Sequence, residues 1–195
     1  MRILSGKLKG SKILTNNSKV EGSQSFITRP TSDRVKETLF NIIHHGFNID
    51  FMKASFFDFF SGSGAVGLEA ISRGASKVYF LDKDRVACEC VRKNMDKFKL
   101  YENDKSKRFC VFNYDFFDKN VSFNDKFDVV FIDPPYDLVK SGEVFIRLKE
   151  LKVTKINSLI IYESNRKLEK IDGFQIQKSR RIGKTYLSFC KVENQ

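Results

Sequence analysis

Tryptophan is absent, histidine is reduced to the adjacent pair His44 and His45, and the four cysteines (Cys88, Cys90, Cys110, Cys190) include no C-x-x-C pair. A zinc site takes three or four clustered thiolate or imidazole ligands, so no metal is expected. No apolar run approaches the roughly 20 residues that cross a bilayer, which excludes a membrane-spanning helix. The first ten residues lack the apolar core and small-residue cleavage site of an export signal, so the expected setting is the cytoplasm with its thiols reduced. Internal repeats and low-complexity tracts are missing too. Acidic side chains are scarce relative to basic ones, 24 against 35 in 195 residues, for a formal net charge of +11. With 41% hydrophobic residues and 20 phenylalanines the chain is too apolar for disorder.

The excess charge sits at the two ends. Residues 1–36 carry eight basic side chains against Glu21 and Asp33, and residues 164–191 carry eight against Glu169 and Asp172. The middle is balanced. A neutral core between basic segments suggests that the ends grip a polyanion, through phosphate contacts that give affinity without reading sequence. Arg2, Lys7, Lys9, Lys12, Arg29 and Arg34 are the expected RNA-binding residues. The N-terminal group is favoured over the tail because its lysines alternate with glycines, so that backbone and side chain can both approach a polyanion.

Arg2–Ser5 and Lys12–Leu14 read as a short hairpin and Asn16–Gln24 as a polar loop. Thr31 or Ser32 caps a helix that runs with apolar residues at helical spacing to Gly46. From Ser55 strands and helices alternate. Strands are expected near 56–60, 77–81, 108–113, 127–132 and 158–162, helices near 65–72, 85–100 and 138–151, and two closing strands around Arg181–Lys184. Such alternation implies a parallel sheet covered on both faces, with antiparallel strands at one edge. The fold class is therefore α/β, with residues 1–50 as a basic extension and 51–195 as the core domain.

Gly62-Ser63-Gly64-Ala65-Val66-Gly67 matches G-x-G-x-x-G between a strand and a helix, a turn whose backbone N–H groups a nucleotide-like ligand can approach. Asp82 ends the next strand 20 residues after Gly62, where an acidic side chain takes ribose hydroxyls. Asp58 ends the strand just before the glycines. A carboxylate there would repel a pyrophosphate but suits the cationic amino-acid end of S-adenosylmethionine. Phe127–Tyr136 is the most specific segment. It is a buried apolar strand that ends in Asp133-Pro134-Pro135-Tyr136, and consecutive prolines force the chain out of the sheet in a rigid loop.

An exocyclic amine is a poor nucleophile because its lone pair is delocalised into the base. Acceptors aimed at its hydrogens, here the Asp133 carboxylate and the Pro134 carbonyl, would relocalise that pair, and Tyr136 would stack on the base.

These motifs together resemble the RsmD family, bacterial methyltransferases for the N2 amine of a guanine in 16S ribosomal RNA. The resemblance runs almost end to end. It includes Arg2-Ile3-Leu4-Ser5-Gly6-Lys7, the block Arg29–Asn41, the glycine segment Asp58–Ala75, Asp133–Tyr136 and the tail Gly183–Phe189. It implies a Rossmann-like seven-stranded class I methyltransferase with a small N-terminal hairpin and helix, using S-adenosylmethionine. By position it places the cofactor at Asp58, Phe59, Gly62, Gly64, Asp82 and Lys83, with Asp115 and Phe116 meeting the adenine and Asp133, Pro134, Pro135 and Tyr136 holding the guanine. The segment 29–41 would pack over the methionine end of the cofactor. Asp82 stands where the family often has Glu, and Ser61 where Ala is common. The implied partner is 16S ribosomal RNA within a small subunit, approached by a monomer. An amino-methyltransferase for adenine or cytosine in DNA shares the tetrapeptide, a nicotinamide oxidoreductase shares the glycines, and a silent RNA-binding module shares the charge.

Overall fold

The computed structural model describes residues 1–15, 31–100, 107–135 and 139–193. Along the chain run α1 (Asp33–Asn41), continued by a π-helical turn (Ile42–Gly46), then β1 (Ser55–Phe59), α2 (Ala65–Ser72), β2 (Lys77–Asp82), α3 (Arg85–Lys97) and β3 (Phe109–Asn113). After these come β4 (Phe127–Ile132), α4 (Ser141–Leu151), β5 (Thr154–Ser164), β6 (Phe174–Ile182) and β7 (Thr185–Val192). The seven strands form one sheet in the order β3-β2-β1-β4-β5-β7-β6. The first five are parallel, and β7 runs antiparallel between β5 and β6. Strand order reverses between β1 and β4, and the carboxyl ends flanking such a switch point are where open α/β sheets bind ligands.

Alternation along the strands builds two cores. Phe56, Val129, Phe131, Leu159, Ile161, Leu187 and Phe189 face the side covered by α1, α2 and α3. Phe57, Phe59, Val130, Ile132, Ile160 and Tyr162 face the side covered by α4. α2 is buried along its whole length. It lies so close to β2 that a methyl group on Gly67 would overlap the Phe80 ring. Among the described residues no helix is long and apolar enough to cross a membrane.

The expected N-terminal hairpin is reduced to a single antiparallel bridge, Arg2 with Lys12. The Ile3 amide donates to the Ser11 carbonyl, Gly10 to Ile3 and Ile13 to Met1, and the segment's other polar groups turn to α2. Glu69 accepts from the Leu4 and Ser5 amides at 2.7 and 3.0 Å and from Arg73 Nε at 2.9 Å. The Leu8 amide donates to Ser72 Oγ and the Lys7 amide to the Ser72 carbonyl. Lys36, counted from sequence among the basic side chains of the N-terminal end, is fully buried, with its ammonium 3.9 Å from Glu69 and donating to the Arg2 carbonyl. It is a structural cation, because it completes the coordination of a buried carboxylate and cannot reach a polyanion.

Ser32 is the α1 cap, accepting from the Val35 amide. β5 is longer than the apolar run 158–162 because Thr154–Asn157 joins the ladder with largely exposed side chains.

Candidate active site at the carboxyl end of the sheet

Between β1 and α2 the chain turns through two left-handed glycines, Gly62 at φ 53° and Gly64 at φ 76°. The Ser61 amide donates to the Leu81 carbonyl at 3.1 Å, and the Gly64 amide to Ser61 at 2.7 Å. Asp82 clamps this loop. One carboxylate oxygen accepts from the Gly62 amide at 2.8 Å and the other from the Asp84 amide at 2.9 Å. Asp84 in turn caps α3 by accepting from Val86. Burial raises the Asp82 pKa, against the pull of these two N–H donors. Lys83 is exposed, and its carbonyl, like that of Asp82, accepts from Asn113 Nδ2 at 3.0 Å.

Asp58 lies beneath the first turn of α2 and accepts from the Gly67 amide at 2.9 Å. It is 3% exposed. Burial pushes its carboxyl up to about 8, assisted by the nearby Asp82 and Glu163 and opposed by the Gly67 N–H. Register places Asp58 beside Phe131 and Phe131 beside Ile161. With a side-chain period of two, Asp133 and Glu163 share the face of Asp58 on adjacent strands. Asp133 is half-buried where β4 ends. Desolvation there, followed by Glu163 and Asp58, holds its carboxyl well above the usual range. Pro134 is buried and Pro135 partly buried behind it. The same desolvation, with the Asp133 charge, lifts the Tyr162 phenol to about 12. Crowded carboxylates that resist ionisation form a pocket that favours a cationic guest, since an opposite charge within a few ångströms stabilises the ionised form.

Asp58, Gly62, Gly64, Asp82 and Asp133 thus meet at one end of the sheet. Tyr136 and Arg29 lie outside the described residues. Asp115 is exposed after β3 and accepts from the Phe117 amide.

The two aromatic residues expected at the cofactor have their rings beneath the site. Phe59 and Phe116 are 0% and 1% exposed, packed edge to face at 5.0 Å, and Phe116 also meets Phe60 and Phe117. Their rings belong to the core under the site, because the face of β1 opposite Asp58 must be covered. The Phe116 carbonyl is already taken by Arg147 Nε at 2.9 Å.

The basic residues are dispersed. Arg2 is exposed 3.7 Å from Asp33, Lys12 is exposed beside it, and Arg34 is exposed on the first turn of α1. Lys7 and Lys9 stand at a tip against the C-terminus of α2.

Glu163 was missed from sequence. Its signal was present: a carboxylate ending the apolar run Leu159–Tyr162, the rule that singles out Asp58 and Asp82. Asn94 gives no such signal. Its amide joins the Leu14 and Ser63 carbonyls and so ties the N-terminal segment to the glycine loop.

The family described as conserved hypothetical protein 95 matches residues 1–191. Ribosomal RNA small subunit methyltransferase D of Haemophilus influenzae is 36% identical over 166 residues, 85% of this chain and 79% of that protein. The namesake from Buchnera aphidicola subsp. Baizongia pistaciae is 28% identical over 199 residues, 100% of this chain and 93% of its own. The solved structure of yhhF from Escherichia coli superposes with a TM-score of 0.77 at 27% identity, covering 100% of this chain and 99% of that one. At 14% identity, ribosomal protein L11 methylase of Lactobacillus delbrueckii shares the fold alone, with a TM-score of 0.57 over 82% and 80% of the two chains.

Proposed function

The chain belongs to the RsmD family, described as conserved hypothetical protein 95, and from that premise we propose that it is an S-adenosylmethionine-dependent methyltransferase of small-subunit ribosomal RNA. The finer reading is methylation of the N2 amine of a guanine in 16S RNA, at the position numbered 966. The observation that carries the activity is Asp133-Pro134-Pro135 at the switch point, on the face that also holds Asp58.

The residues fit the cofactor. Buried Asp58 is suited to an ammonium, Asp82 at the tip of β2 to ribose hydroxyls, and the Gly62–Gly64 turn to a close backbone approach. Bound there, S-adenosylmethionine would supply an electrophilic methyl group on a sulfonium. The chain supplies orientation. Asp133 and the Pro134 carbonyl accept the two N–H groups of the target amine, turning its lone pair out of the ring. Pro135 fixes the direction of that carbonyl, since its ring locks the backbone. The positive sulfonium of a bound cofactor would favour the ionised form of Asp133, and the proton displaced when nitrogen is alkylated falls to that carboxylate. The names of the relatives support an RNA substrate over DNA.

Transfer of labelled methyl groups to small subunits from a strain lacking this enzyme, followed by nucleotide mapping, tests both levels. Label in a single guanine of 16S RNA is the expected result. Label elsewhere removes the finer reading, and no label under saturating cofactor removes the activity.

A further inference from the structure

The turn joining β6 to β7 rises over the catalytic end of the sheet. Tyr162 pairs with both Ile132 and Ser188, and Ser164 pairs with Tyr186. Asp133 is therefore level with Glu163 and Leu187, and the turn at Gly183–Lys184 stands three to four residues higher, about 10 Å at the usual strand rise. Sideways, β7 is two strand spacings from β4, again about 10 Å. Arg180 and Arg181, near the end of β6 and on opposite faces of it, and Lys184 on the turn are exposed, and Arg166 and Lys167 are exposed where the chain leaves β5 at the same end.

The cations are mounted. Arg181 stacks over Tyr186 at 5.5 Å and donates Nε to the Gly183 carbonyl at 3.0 Å. Ser164 Oγ donates to the Arg166 carbonyl at 2.6 Å. None of the five forms an ion pair with a described residue, whereas Arg2 already faces Asp33. The N-terminal tip points elsewhere. Lys7 is fastened to Ser72, the last residue of α2, one helix length (about 12 Å) below the glycine loop and toward the amino ends of the strands.

We propose that the β6–β7 turn, with Arg166 and Lys167, is the surface that grips the RNA backbone next to the target nucleotide and delivers it to Asp133. The proposal rests on the methyltransferase reading above. Five cations with no ion pair among the described residues complement a polyanion, and the guanidinium fork of arginine matches phosphate oxygens. A lateral distance of about 10 Å is spanned by about three phosphates of a stacked strand, so the gripped backbone and the base at Asp133 belong to one short stretch of RNA. Phosphate contacts position without reading bases; this surface sets affinity and orientation and leaves base choice to the pocket.

The test compares the full-length parent with Arg180→Gln/Arg181→Gln/Lys184→Gln and with a control at the amino end of the sheet, Lys53→Gln/Lys126→Gln. Methylation kinetics on unmodified small ribosomal subunits, binding to those subunits against salt, and calorimetric titration with S-adenosylmethionine are measured for each. The turn variant should raise KM about tenfold, leave kcat within twofold and cofactor affinity unchanged, and lower the salt slope of binding by about two, at roughly 0.7–0.9 per lost phosphate contact. The control should follow the parent. A turn variant with the parent's KM and slope overturns the inference. So does the same loss in Lys7→Gln/Lys9→Gln with none in the turn variant, or loss of binding to anionic vesicles in place of subunits. A parent that neither binds the cofactor nor transfers methyl groups instead overturns the methyltransferase reading itself.

Discussion

Asp58 is where pH and cofactor binding should meet. Its carboxyl titrates near 8 in the fold against an ordinary 3.8. Between those values the native state holds a proton that the unfolded chain has released, so this group subtracts from stability as pH rises. A bound cation should reverse that preference and expel the proton. Affinity for S-adenosylmethionine should then rise by up to about tenfold between pH 6 and 7, and Asp58→Asn should flatten the profile. At neutral pH the same variant should weaken binding by about tenfold to a hundredfold, the loss of a charged partner being worth on the order of 1.5–3 kcal/mol. Calorimetric titration across pH checks both, and unchanged affinity would remove Asp58 from the cofactor site. Asp133→Ala should abolish transfer while leaving cofactor affinity within a few-fold, since Asp133 faces the amine more than the donor; normal turnover would reduce the tetrapeptide to a turn. The polar residues of this site were legible because carboxylates at strand ends are conspicuous in a string of letters. That the Phe59 ring packs on Phe116 in the core follows from which face of β1 is covered, which no local pattern states.

At the scale of elements, the third glycine of the loop is a packing residue. Gly67→Ala would drive a methyl group into Phe80, itself fully buried. Over-packing of this kind costs about 1–3 kcal/mol. Urea unfolding should show that loss, and Phe80→Leu in the same chain should recover part of it. The attachment of residues 1–15 to α2 is equally specific. Glu69 has no exposed surface and gathers two amides, Arg73 and Lys36. Glu69→Gln leaves the buried Lys36 ammonium with Asp33 alone as counter-charge, 3.6 Å away, so urea unfolding should show a loss below the about 3–5 kcal/mol of breaking a buried pair outright. No measurable loss would mean that the segment relaxes away from the helix. α2 and β4 match their expected bounds because an apolar run between strong breakers has few alternatives. The amino-terminal reach of β5 and the π-helical form of Ile42–Gly46 were not legible: pairing with β4 extends the first, and no residue type marks the second.

For the molecule as a whole, everything placed at the cofactor site exists in the folded state alone, so ligand binding must appear as stability. At a hundred times its Kd, S-adenosylmethionine should add about 2.7 kcal/mol, or about 5–10 °C in Tm for a chain of this size. A thermal shift with S-adenosylmethionine and none with a nicotinamide dinucleotide is the expected pattern, and the reverse would favour the oxidoreductase. The division of charge into two basic ends was plain in the sequence. Which end stands nearer Asp133 was not, because it follows from strand direction: β7 returns antiparallel and lifts its turn toward the carboxyl end of the sheet, while α2 carries the N-terminal tip toward the amino ends.

The fastening of residues 4–8 to α2 also has a consequence in time. Their partners Glu69 and Ser72 lie 64 to 67 residues further along the chain. At a synthesis rate of about 5–20 residues per second, the Leu4, Ser5 and Leu8 amides wait roughly 3–13 s before an acceptor exists. Throughout that interval the N-terminal segment has nothing to fold onto. It becomes structured only as the glycine loop and α2 are completed, so residues 4–8 are made well before they can become native.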